Sequence, residues 1–307
     1  MQKKSASYAN RFLIFNNQSQ AIVSLNNNQK VAIVIGSSSG IGFETALALA
    51  RASFRTFATM RNLAKGESLL QIAKKENLAL STRQLDVDND QSVATAVTEI
   101  QEEAQRIDVL VNNAGFWLVG AIEDLSMQEL RNQFETNFFG AVRLIKAVLP
   151  VMRKQKSGAI VNITSMWGRV AIPLDPAYHA TKFALEGLSE SIRYETKPFG
   201  IKVIAIEPGA VVGTNFSNNL RIANKTMDPS APSPYSEMMQ HFDTAARQLL
   251  SYAIPPSDVA KVIVNAVTSD NPDFRYILGQ DAAQTLEAAK KMPYKDFEAM
   301  IQKQFFG

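Results

Sequence analysis

The chain has 307 residues, of which 46% are hydrophobic, 32 are Lys or Arg and 29 are Asp or Glu, for a formal net charge of +3. That length and apolar content suffice for one large buried core, and so small a charge excess excludes a dedicated binder of nucleic acid or another polyanion. Cysteine is absent and only His179 and His241 supply imidazoles, which excludes disulfides, thiolate catalysis and cysteine-ligated metals and makes no metal site expected.

Residues 1–28 are rich in Asn, Gln and Ser, carry charge only at Lys3, Lys4 and Arg11, and precede the first acidic residue, Glu44. Charge so sparse, with an apolar piece only from Phe12 to Phe15, predicts a flexible extension rather than a targeting peptide. No apolar run approaches the ~20 residues that span a bilayer. A soluble, cytoplasmic protein with no membrane span is expected, the lack of cysteine being compatible with a reducing compartment.

From residue 29 onward, short β-branched runs alternate with longer stretches of helical period. The runs are Val31 to Ile35, Arg55 to Thr59, Thr82 to Asp86, Val109 to Asn112, Ala159 to Thr164, Lys202 to Glu207 and Arg275 to Leu278. Such alternation predicts βαβ units, and unbroken apolar runs such as Val31 to Ile35 predict strands covered on both faces. The expected fold is therefore α/β: a doubly wound, Rossmann-type parallel sheet of about seven strands, in a single domain over residues 29–307. Ser126 to Lys154 and Pro176 to Phe199 read as long helices whose apolar faces exceed what one sheet needs, so a homo-oligomer, dimer or tetramer, is expected. From about residue 214 to 256 the pattern dissolves into Asn, Pro, Ser and Met. A loop of that length in a compact domain predicts a substrate lid.

Two local patterns carry chemistry. Gly36-Ser37-Ser38-Ser39-Gly40-Ile41-Gly42 joins the first strand to the first helix, where missing side chains let the backbone approach a pyrophosphate and the helix N-terminus welcomes its charge. Tyr178 and Lys182 stand one helical turn apart, which puts a phenol beside an ammonium that favours the phenolate and suits the pair to proton exchange.

The spacing Gly-x-x-x-Gly-x-Gly resembles the short-chain dehydrogenase/reductase family. Asp86 in Leu85-Asp86-Val87, Asn112-Asn113-Ala114-Gly115 and Pro208-Gly209 also fall where that family has its motifs, and Asn137, Ser165, Tyr178 and Lys182 follow in the family's catalytic order. The resemblance implies a catalytic set of these four. Tyr178 exchanges a proton with a carbonyl or alcohol oxygen, and Ser165 hydrogen-bonds the same oxygen. Lys182 holds the nicotinamide ribose and lowers the tyrosine pKa, while Asn137 anchors a water leading from Lys182 to solvent. Cofactor contacts are implied for Gly36, Ser38, Ser39, Gly40, Ile41 and Gly42, for Asp86 and Val87, for Asn113, Ala114 and Gly115, for Tyr178 and Lys182, and for Pro208, Gly209 and Thr214. Two departures stand out. Ile35 occupies a position that is often Thr, so a hydrogen bond supporting the turn is replaced or lost, and Thr214 comes one residue later than usual, which leaves its contact open.

Met60 stands where a carboxylate that binds the NAD ribose usually appears, and Arg61 next to it offers a forked cation to a 2′-phosphate, so NADP(H) is expected over NAD(H). The chain beyond Asn271 resembles the branch holding 17β-hydroxysteroid and retinol dehydrogenases. Phe216, Leu220, Met227, Met238, Met239 and Phe242 are expected to line an apolar pocket near Trp117 and Trp167. The expected activity is hydride transfer between nicotinamide and the carbonyl or secondary alcohol of a bulky, mostly apolar small molecule. The rivals are a non-catalytic NADP-binding sensor or scaffold and a reductase of carrier-bound 3-ketoacyl groups.

Overall fold

A computed structural model describes residues 29–214, 220–228 and 230–306, so the expected N-terminal extension and Phe216 lie outside the described residues. The first strand explains the architecture. In β1 (Val31–Ile35) every residue is buried. Val31, Ile33 and Ile35 pack into one core, Ala32 and Val34 into another on the opposite face. Side chains of a strand alternate between faces, so a run that is apolar at every position can rest only between two covered surfaces.

The other strands build outward from it. β2 (Arg55–Met60) and β3 (Leu80–Gln84) lie on one side, and β4 (Val109–Asn112), β6 (Gly158–Ile163), β7 (Ile201–Pro208) and β9 (Arg275–Leu278) on the other, in the order β3-β2-β1-β4-β6-β7-β9 with every neighbour parallel. This is a seven-stranded Rossmann-like sheet in a single domain. Helices α1 (Gly40–Arg51), α2 (Glu67–Lys75) and α3 (Asp90–Ala104) supply the crossovers in the first half. The strand order reverses between β1 and β4, and there the crevice beyond the strands' carboxyl ends is open to a ligand.

The expected long helix from Ser126 is not continuous. It divides into α4 (Met127–Phe134), a π-helical turn over Glu135–Phe139, and α5 (Gly140–Gln155). Long-range contacts impose the break: the Asn137 side chain bonds both backbone groups of Phe116, at 3.0 Å each, and a Cβ on Gly140 would stand 2.8 Å from that of Val87. The second long helix, α6 (Pro176–Thr196), runs as expected and ends in a single 3-10 turn at Lys197–Phe199.

After β7 the chain makes an excursion whose two ends meet. Val211 bridges Ile254, the Ile254 amide donates to the Ala210 carbonyl, and the Val212 amide donates to the Ile254 carbonyl, both at 3.0 Å. Within the excursion β8 (Arg221–Ile222) pairs with β5 (Leu118–Val119), and α7 (Ser236–Leu249) buries Phe242 and Ala245. Three acidic residues before and within α4 tie it down: Asp124 accepts from Thr226 and Ser233, Glu129 from the Asn224 amide, and Glu123 from the Tyr235 hydroxyl. The chain closes with α8 (Pro256–Thr268), α9 (Gln280–Lys291) and α10 (Tyr294–Phe306).

Two polar clamps set the loops around the crevice. Asn113 Nδ2 donates to the carbonyls of Ile35 and Gly36, at 3.0 and 3.1 Å, and the amides of Gly36 and Ser37 both donate to the Thr59 carbonyl at 3.0 Å. In the loop between β6 and α6, His179 Nε2 accepts from the Ile172 amide at 3.0 Å while Nδ1 lies 2.9 Å from the Trp167 carbonyl. One ring nitrogen accepts and the other donates, which requires neutral imidazole with its proton on Nδ1.

Gly42→Ala is expected to lower stability by about 1–3 kcal/mol, because the new Cβ would lie 2.4 Å from the Gly36 oxygen and 2.5 Å from Asn113 Nδ2; thermal denaturation reads this directly. Burial lowers the His179 pKa below its ordinary 6.5, so its staple is fully present above pH 6.5 and is lost as pH falls through the folded-state value. Tm should accordingly drop on acidification below pH 6.5 and drop less steeply in His179→Gln; equal slopes would show that the imidazole carries none of this dependence.

Candidate active site

The glycine turn has the backbone that its composition predicts. Gly36 and Gly40 take φ of +74° and +59°, the left-handed region that side chains disfavour. Ser37 spends its hydroxyl inside the turn, on the Val34 carbonyl at 2.8 Å. Ser39 caps α1 without giving its hydroxyl to the helix, so the side chain and the first amides of α1 remain available to an anion. A Cβ on Gly40 would meet Thr214 at 3.0 Å. That contact places Thr214 against the turn in spite of its shifted position in the sequence.

A cavity of about 1490 Å³ extends over this turn. Arg61 and Lys65 line it beyond β2, Asp86 and Val87 beyond β3, Asn113 to Gly115 beyond β4, Ser165 beyond β6, and Pro208 and Gly209 beyond β7, with Tyr178 and Lys182 entering from α6. All the expected residues meet there except Gly42, packed behind the turn, and Asn137. With Lys182 and Asn112, Asn137 lines a neighbouring cavity of about 10 Å³, the size of a single water. The main cavity exceeds the few hundred to ~1,000 Å³ of an ordinary small-molecule site. That volume leaves room for an extended ligand, and the turn at Gly36 to Gly40, with glycine at both ends, suits a pyrophosphate.

Around the end of the cavity beyond β6 four polar residues are almost fully buried: Asn137, Ser165, Tyr178 and Lys182. The Tyr178 hydroxyl is hydrogen-bonded to Ser165. Ser165 Oγ also accepts from the Trp167 amide at 3.2 Å and reaches the Pro208 carbonyl at 3.4 Å. Lys182 Nζ donates to the Ile163 carbonyl at 2.8 Å and lies 5.6 Å from the Tyr178 ring centre. The side-chain amide of Asn137 is bonded to both backbone groups of Phe116, and its Nδ2 also lies 3.4 Å from Thr181 Oγ1.

Electrostatics here correct one expectation. Burial, opposed by the Ser165 bond, raises the Tyr178 phenol above its ordinary pKa instead of lowering it. The same burial, opposed by Glu186, pulls Lys182 down to about 8, because both charged forms lose water. Asp175, at the head of α6, is fully buried; desolvation holds its carboxyl well above the usual carboxylate range although the Trp117 indole donates to it at 2.6 Å. Nothing in the sequence singles out Asp175, since an Asp before Pro reads as an ordinary helix start.

Trp117 packs on Tyr178 and Phe242, with ring centres 6.3 and 6.0 Å apart, and Trp167, Ile172, Met239 and Phe305 extend the apolar wall. Of the expected pocket residues, Leu220, Met239 and Phe242 line the cavity. Met238 packs in the core beneath α7, and Met227 is 63% exposed; neither lines it. At the far end Met60 is buried against Gly66, and Arg61 stands exposed at the edge. Lys65 joins it because Asn62 Oδ1 accepts the Ala64 amide at 3.0 Å and starts a short 3-10 helix. Its signal in the sequence was an Asn cap followed by a cation one turn later.

The family model for short chain dehydrogenases matches residues 30–225. Among curated proteins, retinol dehydrogenase 8 of Homo sapiens is 42% identical over 256 residues, 80% of each chain, and 17-beta-hydroxysteroid dehydrogenase type 1 of Homo sapiens is 33% identical over 252 residues, 80% of this chain and 76% of that one. Among solved structures, a short-chain dehydrogenase from Streptomyces avermitilis superposes with a TM-score of 0.76 at 33% identity, covering 90% of this chain and 96% of that one. A variant of actinorhodin polyketide ketoreductase with NADPH superposes at 0.70 and 26% identity, covering 82% and 96%. The chain belongs to the short-chain dehydrogenase/reductase family, in its retinol and steroid dehydrogenase-like branch, and is an oxidoreductase acting on CH–OH or C=O groups with a nicotinamide cofactor.

Proposed function

We propose that this enzyme uses NADP(H) to interconvert the carbonyl and secondary alcohol of a bulky, mostly apolar small molecule, with Tyr178 as acid and base. One observation carries the reading: a single cavity joins Arg61 and Lys65 at one end to Ser165, Tyr178 and Lys182 at the other, under a wall of Trp117, Trp167, Met239 and Phe242. Two cations without a carboxylate at the Met60 position suit a 2′-phosphate. The superposed ketoreductase holds NADPH, which supports the same choice.

In this reading Gly36, Ser38, Ser39, Gly40 and Ile41 cradle the pyrophosphate. Asp86, Val87, Asn113, Ala114 and Gly115 flank the adenosine side, and Pro208, Gly209 and Thr214 the nicotinamide side. The bound cofactor supplies a hydride to the carbonyl carbon. Tyr178 gives its phenolic proton to the carbonyl oxygen, and Ser165 hydrogen-bonds the same oxygen as negative charge develops. Lys182, with a pKa near 8, then returns a proton toward Tyr178, and the small cavity at Asn137 connects it to solvent. In the oxidising direction each transfer reverses. Phe139, Phe183 and Tyr194 stand exposed on or beside α5 and α6, which supports burial against a second copy. The absence of cysteine accords with a cytoplasmic setting.

Tyr178→Phe should reduce kcat by about 10²–10⁴-fold, the range of general acid catalysis, while NADPH binding followed by fluorescence stays within a few-fold of wild type; retained turnover would remove Tyr178 from the chemistry. Arg61→Ala should weaken NADPH by about 10-fold, the weight of one hydrogen bond to a charged group, and leave NADH nearly unchanged. An unaltered ratio of the two Kd values would defeat the NADP assignment. A broad carbonyl panel with NADPH, read at the nicotinamide absorbance, tests the whole reading, and binding without turnover would favour a sensor.

A further inference from the structure

Asp281 lies in the first turn of α9, in a part of the chain beyond residue 225 and hence outside the family match. Its carboxyl is nonetheless buried at the reacting end, 4% exposed, and lines the same cavity as Tyr178. Oδ2 accepts the Ala210 amide at 2.7 Å, and Oδ1 is buried without a hydrogen-bond partner among the described residues. The group is wedged between two glycines. A Cβ on Gly209 would fall 2.2 Å from Oδ1 and 2.3 Å from Oδ2, and one on Gly279 would fall 2.4 Å from Oδ1. Gly279 also takes φ of +99°, so two backbone positions in different loops accommodate this one side chain.

The loop that it holds offers little else to grip. Pro208-Gly209-Ala210 presents only small side chains, and both of its amides are taken by the C-terminal part: Gly209 donates to the Leu278 carbonyl at 2.8 Å and Ala210 to Asp281. On its other side the Pro208 carbonyl meets the Ser165 hydroxyl, and Ser165 in turn bonds Tyr178. A rigid chain of contacts thus runs from Asp281 through the loop to both hydroxyls, and displacement of reacting groups by about 1 Å can cost 10²-fold in rate.

We propose that Asp281 is a positioning residue: by accepting the Ala210 amide it fixes the Pro208-Gly209-Ala210 loop and, through the Pro208 carbonyl, the Ser165 hydroxyl at the nicotinamide end of the cavity. This rests on the NADP(H)-linked reaction proposed above. Loss of the acceptor leaves the Ala210 amide unsatisfied and frees the loop, while the adenosine end is untouched.

The test compares full-length wild type, Asp281→Ala and Asp281→Asn. Asn keeps an acceptor oxygen for Ala210. With a carbonyl from the panel, Asp281→Ala should lower kcat by about 10–100-fold with the substrate KM moved less than about 3-fold, and Asp281→Asn should recover most of kcat. In NADPH titrations, Asp281→Ala should lose half or more of the nicotinamide emission enhancement with Kd shifted less than about 3-fold, as expected when only the nicotinamide end is released. A purely structural role would lower Tm and leave kcat and emission of the folded protein unchanged, which would overturn the proposal. So would an Asn variant as impaired as Ala. Should Asp281→Ala not fold, Gly279→Ala crowds Oδ1 with the carboxyl still present and should reproduce the kcat and emission losses; normal values there would count against the assignment. Wild type that binds NADPH but reduces no carbonyl defeats the proposed reaction, and the emission comparison then decides the role of Asp281 by itself. Wild type that does not bind NADPH overturns both.

Discussion

Asn113 spends one side-chain nitrogen on two carbonyls, those of Ile35 and Gly36, and the crevice takes its shape from that bond pair. β1 and β4 are the strands between which the sheet reverses its order, so the clamp joins the two loops that open there. It exists only because Gly42 has no side chain to displace it. The other close approaches nearby follow suit: Gly36 lies against Ala114, Gly40 against Thr214 and Gly115 against the Asn137 amide. The first is a contact with backbone and the other two are contacts with side chains, each made possible by the missing Cβ. The result is a preorganised cradle, and preorganisation spares a bound ligand the cost of ordering loops.

The reacting end is held by the opposite device, polar groups taken out of water and made to satisfy each other. Tyr178, His179, Lys182 and Glu186 all sit buried on α6. An isolated buried ammonium would cost several kcal/mol, and Lys182 is supported by the Ile163 carbonyl and by the charge of Glu186. Glu186 is shared with Arg275 of β9, which also pairs with Glu190 and with the fully buried Glu207 of β7, itself 3.1 Å from Arg169. The paired cations offset part of what these carboxylates lose by leaving water. Arg275 therefore makes the C-terminal strand part of the same electrostatic unit as α6, which fits with the cavity drawing Asp281 and Phe305 from the same end of the chain.

Much of this was legible in the sequence, for physical reasons. A strand such as Val31 to Ile35 announces two-sided cover through its composition, and seven such runs with helical crossovers admit few topologies. Glycines that need positive φ and a phenol and amine one turn apart are local requirements, and local requirements are written locally. What escaped was set at a distance. The π turn at Asn137 arises from Phe116 and Val87, which are remote in sequence from α4 and α5, and α4 otherwise has an ordinary capping box at Ser126. β3 begins two residues earlier than its apolar run suggested because pairing with β2 starts at Leu80. Met227 and Met238 looked like Met239, and only the orientation of the turn and of α7 separates exposed, packed and cavity-lining sulfur. The raised phenol was illegible for a similar reason: the spacing shows the cation but not how much water burial removes.

The bridge from Val211 to Ile254 has a consequence for how this architecture can change. Val211 and Ile254 stand at the two ends of the excursion after β7 and bridge each other outside the seven-stranded sheet, so the excursion closes on itself, and the entropy of closing such a loop grows only slowly with its length. The pairing of the seven strands does not run through the residues between those points, whereas β8 pairs with β5 and Phe242 packs on Trp117, so these are the contacts that a change of length there must keep. The same seam offers a natural pair of junctions for grafting one relative's excursion onto another's sheet.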